Sequence, residues 1–111
     1  MRLSEEQTQA ILSTCLKYLL NISFKVYLYG SRTKDELKGG DIDLLIVTTA
    51  EGVEAFTQNH LAYLVELKKH SSIGQRRIDI KACTEEQLKK DEFLKLISQS
   101  MLEISKPSRP Y

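Results

Sequence analysis

The chain has 111 residues, of which 41% are hydrophobic and 28% charged, with a formal net charge of +1. That is enough apolar material to bury one core without disulfides or a structural metal, and too little chain for a second domain. The balanced charge argues against a globally basic nucleic-acid binder, so any such contact would need a local patch, and no apolar run approaches a membrane span.

In chain order, residues 4–20 predict a helix. Ser4 is an N-cap with Gln7 in the capping-box position, and Ile11, Cys15, Tyr18 and Leu19 form an apolar face that Asn21 ends. Phe24–Tyr29 reads as a strand closed by Gly30. Residues 31–38 read as one or two helical turns before the Gly39-Gly40 bend. Residues 41–48 form a second strand, apolar enough to be central in a sheet. Residues 51–69 predict one helix through Val53, Phe56, Leu61, Leu64, Val65 and Leu67, and 70–74 a loop. Residues 76–83 predict a third strand. Thr84, with Gln87 three residues on, caps a last helix whose apolar face is Leu88, Phe93, Leu96, Ile97 and Leu102.

The expected architecture is α/β or α+β, a sheet of at least three strands covered by helices. One domain over residues 1–105 and a frayed tail over 106–111 complete it. Cys15 and Cys83 show neither CxxC nor zinc spacing and read as buried thiols, suited to a reducing compartment. The charged start lacks the apolar run of a signal peptide, so a cytoplasmic protein is expected.

Asp41 and Asp43 stand one residue apart on a strand, which points both carboxylates to one face. Two adjacent acids repel, and partial burial adds a cost of several kcal/mol on the order-of-magnitude scale for unpaired charge. Mg²⁺ relieves both, because it takes hard oxygen ligands from one or two carboxylates and from substrate phosphates. The bland alternative is two aspartates solvated at a strand end. Asp79 repeats the pattern between Ile78 and Ile80. Beside the second strand it would join the pair, and three carboxylates can hold two metals for in-line displacement at phosphorus. Otherwise it pairs with Arg76 or Arg77, or is simply exposed at the strand edge. Gly30-Ser31 opens a helical turn where backbone amides and a hydroxyl can meet phosphate, or else forms an ordinary capped turn. Arg32 is a further phosphate-binding candidate. Lys68, Lys69, His70, Arg76 and Arg77 form a basic stretch that either steers an anionic partner or is a solvated face. His60 and His70 show no metal-binding spacing.

Taken together, Leu28-Tyr29-Gly30-Ser31-Arg32, nine residues between Ser31 and Asp41, Asp41-Ile42-Asp43-Leu44 and the later Ile78-Asp79-Ile80 resemble the nucleotidyltransferase superfamily related to polymerase beta, above all its minimal single-domain members. The resemblance implies a small mixed sheet packed with helices. It also implies transfer of a nucleoside monophosphate from ATP or another NTP to a hydroxyl. Gly30, Ser31 and Arg32 would bind nucleotide. Asp41, Asp43 and Asp79 would bind two Mg²⁺ ions, Asp79 also assisting the nucleophile. Where many minimal members continue with Ala-Arg-Gly, this chain has Thr33-Lys34-Asp35, which alters the loop over the phosphates but removes no reactive group. Minimal members are often paired with a small helical partner of the HEPN type, a toxin whose tyrosine the antitoxin adenylylates, and that role is the leading expectation. The alternatives are a non-catalytic module that neutralises a partner by contact, and a homodimeric transferase acting on an aminoglycoside-type small molecule.

Overall fold

The computed structural model describes residues 4–29, 42–70, 73, 77–99 and 101–104. Helix α1 spans Glu5–Tyr18, and its start is set locally. The Gln7 amide donates to the Ser4 hydroxyl at 3.1 Å, and the Ser4 amide donates to the Gln7 side chain at 3.0 Å. This reciprocal pair satisfies two backbone donors that the first turn leaves without carbonyl partners. Ala10, Ile11, Thr14 and Cys15 make its buried stripe. The chain turns away through Asn21 at φ 66°, a left-handed conformation that asparagine tolerates better than most residues.

Strands β1 (Phe24–Tyr29), β2 (Ile42–Thr48), β3 (Ile78–Cys83) and β4 (Leu102–Glu103) form one sheet in the order β3-β2-β1-β4. β1 pairs antiparallel with β2 and with β4, whereas β2 and β3 are parallel, so the sheet is mixed as expected. Every residue of β2 except Asp43 is buried, which fits its central place and its apolar sequence. A parallel neighbour requires a crossover, and helices α2 (Ala50–Gln58) and α3 (His60–Lys68) supply it.

The single helix expected over residues 51–69 is therefore two. Asn59 breaks it at φ −111° and ψ 16°. Its side-chain amide donates to the Ala55 carbonyl at 2.8 Å and so competes with the helical backbone. The last helix is likewise two, α4 (Glu85–Lys90) and α5 (Glu92–Ser98). The Thr84–Gln87 capping box forms as read from sequence, but Asp91 is extended and its carboxylate accepts the Leu94 amide at 3.1 Å, capping a new helix. This new start turns Phe93 and Leu96 outward, both expected to be inside, and leaves Ile97 buried. Leu102 belongs to β4, a strand that the helical periodicity concealed.

Two apolar layers follow from strand alternation. Val26, Leu28, Ile42, Leu44, Ile46, Ile78 and Ile80 face the side where Ile11 and Cys15 of α1, Phe56 of α2, and Tyr63 and Leu67 of α3 pack. Tyr29, Leu45, Val47 and Cys83 face the other side, against Leu88 of α4 and Leu94 and Ile97 of α5. Both cysteines are free and buried, in line with expectation. The expected turns over residues 31–38 and the tail over 106–111 lie outside the described residues. Among the described residues no helix is long and apolar enough to cross a membrane.

Candidate active site

The parallel pairing of β2 with β3 sets Asp43 directly opposite Asp79. The antiparallel pairing of β1 with β2 sets Tyr29 opposite Asp43 on the other side. Tyr29, Asp43 and Asp79 thus form one row across three strands. By alternation the row lies on the same face as Leu45, Val47 and Cys83, the face that α4 and α5 cover further along the strands. Cover is incomplete at the row. Asp43 is half-buried, and the Asp79 side chain keeps 52% of its surface exposed. A strand tip that is otherwise apolar therefore presents two carboxylates side by side to solvent.

Lys81 shares this face because it follows Asp79 by two residues on β3. Its Nζ donates to Asp79 Oδ2 at 2.7 Å. The Tyr29 phenol interacts electrostatically with this ammonium, which lies 5.9 Å from the centre of the Phe93 ring. The Asp79 hydrogen bond, opposed by some burial, raises the Lys81 pKa, so this side chain is a fixed cation across the neutral range. Burial pushes the Tyr29 phenol up, and the Asp79 and Asp43 charges add to that, while Lys81 pulls it down. Tyr29 accordingly remains a neutral hydroxyl.

The sequence offers Asp79 an ion pair with Arg76 or Arg77, or exposure at the strand edge, as alternatives to metal binding; the side chain is exposed, and the cation beside it is Lys81. Lys81 was legible in principle, since any residue two positions from an acid on a strand shares its face. Tyr29 was quoted only as part of a motif, and its place beside Asp43 depends on the β1–β2 register. Asp41, Gly30, Ser31 and Arg32 lie outside the described residues. Of the six predicted site residues, the structure thus places Asp43 and Asp79 and brings them together.

The donor set suits a hard divalent cation. Adjacent strands stand about 4.8 Å apart, so carboxylates on register partners can share one ion. Among the described residues no group of three or more His, Cys, Asp or Glu side chains is placed to hold a metal, and the third acid of the expected set is Asp41. His60 packs edge-on against Phe56 with ring centres 5.2 Å apart, away from these acids. The groove of about 540 Å³ between β3, α4 and α5, lined by Ala82, Cys83, Glu86, Gln87, Lys90, Asp91 and Leu94, lies at the opposite end of β3 from Asp79.

Residues 10–104 match the family model described as "Nucleotidyltransferase domain". No curated protein matches the chain.

Proposed function

The chain belongs to the nucleotidyltransferase domain family, and on that premise we propose that it transfers AMP from ATP to a hydroxyl of a partner protein. The observation that carries this reading is the register pairing of Asp43 with Asp79 on parallel strands, half-buried and exposed respectively. Parallel pairing makes a carboxylate pair out of residues 36 positions apart in sequence. Two carboxylates paired at an apolar strand tip offer hard oxygen donors to a divalent ion, beyond the single charge that Lys81 supplies to Asp79.

Asp41, Asp43 and Asp79 are the residues that would hold Mg²⁺, with room for two ions in a three-carboxylate set. A divalent ion there would neutralise charge on the phosphate oxygens during displacement. Gly30, Ser31 and Arg32 would hold the triphosphate through backbone amides, a hydroxyl and a guanidinium. Asp79, the more exposed acid, would accept the proton of the attacking hydroxyl. The acceptor is proposed to be a tyrosine of a small helical partner of the HEPN type, which makes this chain an antitoxin acting in the cytoplasm. Two free, buried thiols are in keeping with that compartment.

The test mixes the protein with Mg²⁺, α-phosphate-labelled ATP and the protein encoded beside it. Label on that neighbour, lost with Asp43→Asn and with Asp41→Asn, is the expected result. ATP binding without label transfer would refute the proposed acceptor. Absence of ATP binding would favour a module that neutralises its partner by contact alone.

A further inference from the structure

Lys81 has one direct bond and two neighbours on this face. It donates to Asp79 at 2.7 Å, the short end of charge-assisted hydrogen bonds. The Tyr29 phenol is near enough to interact with its charge, and the Phe93 ring supplies its negatively charged face 5.9 Å away. Phe93, turned outward by the start of α5 and 53% exposed, is thereby available to this ammonium. A lysine chosen only for solubility would extend into solvent, and its side chain here is 39% exposed.

The ammonium on Asp79 Oδ2 leaves a divalent ion, at about 2.1 Å, only the remaining lone pairs of that carboxylate, and it takes up part of the charge that would hold the ion. The two cations also repel each other across the few ångströms between them. We infer that Lys81 is a positioning residue, the resident cation of Asp79, and that a divalent ion engages this acid in competition with the lysine ammonium. The inference rests on the metal-site reading above and adds to it a built-in competitor. In the absence of nucleotide, Lys81 neutralises Asp79 and keeps the affinity of the acid row for metal low. Because an exposed pair of this kind is weak, the ammonium can be displaced without unfolding anything.

The test is a Mn²⁺ titration without nucleotide, followed by the electron paramagnetic resonance signal of free Mn²⁺. Wild type, Lys81→Met, Lys81→Arg and Asp79→Asn are compared, each checked by circular dichroism and urea midpoint. Lys81→Met is expected to bind Mn²⁺ about tenfold more tightly, from the loss of a like charge beside the ion. Lys81→Arg, which keeps the charge, should stay close to wild type. The gain should vanish in the Lys81→Met/Asp79→Asn double variant, because it acts through that one acid. Equal affinity in wild type and Lys81→Met would overturn the inference while leaving the metal site intact, as would a gain that survives Asp79→Asn. Lack of Mn²⁺ binding by all four proteins would remove the metal site itself, and the inference with it.

Discussion

Tyr63 offers a sharp test of the core. Its ring is wedged between Tyr18, stacked at 4.9 Å, and Phe56, edge-on at 4.9 Å, and the residue has no exposed surface. Its hydroxyl has no hydrogen-bond partner among the described residues. Burial also drives its phenol pKa well above the ordinary value, so the group enters the fold neutral. Leaving such a hydroxyl dry and unpaired costs about 1–3 kcal/mol. Tyr63→Phe removes that penalty and keeps both ring contacts. The space left by one oxygen, roughly 10–15 Å³ at ~24 cal/mol per Å³, returns only about 0.3 kcal/mol of loss. The net expectation is a gain of about 1 kcal/mol. With a urea slope of about 2 kcal/mol per molar for a chain this size, the midpoint should rise by about 0.5 M. Tyr63 lies on the α1–α3 side of the sheet, opposite Asp43 and Asp79, so Mn²⁺ binding should not change. A midpoint that falls instead would show that the hydroxyl holds a bond stronger than its desolvation, and the reasoning would fail.

Three further outcomes are expected. A Cβ at Gly52 would collide with the Thr48 hydroxyl, which is itself committed to the Ser23 carbonyl at 2.6 Å; Gly52→Ala should therefore lower the urea-derived stability by about 1–3 kcal/mol, despite alanine's better helix propensity. Asp91→Ala removes the cap of α5 and should cost about 1 kcal/mol, with Asp91→Asn retaining most of it. Burial raises the Cys15 thiol from 9.0 to about 12, so the unfolded chain releases this proton first as pH rises. Stability from the neutral thiol is thus intact below pH 9 and is lost between pH 9 and about 12, at a slope approaching 1.4 kcal/mol per pH unit. Denaturation across that range should be flatter in Cys15→Ala, and a slope equal to that of wild type would rule out Cys15 as the titrating group.

The sequence by itself determined what is local. Ser4 with Gln7, and Thr84 with Gln87, announced two helix starts because each capping box closes within four residues. β1 was legible to its ends, and β2 declared its central place through apolar residues on both faces. Asn59 and Asp91 also acted locally, but a side chain that competes for backbone partners has helical and helix-breaking settings, and the apolar periodicity around both concealed the breaks. Only the tertiary structure decided the rest. Period two assigned Asp43 and Asp79 to strand faces, but their meeting depends on a parallel register brought about by a crossover of two helices, and no local signal encodes which strands become neighbours. The same holds for β4, whose two residues are a strand only because β1 offers them an edge. Lys81 joins Tyr29 and Phe93 for that reason too: three segments distant in the chain converge on one sheet face, and burial of the apolar residues around them brings the charges together.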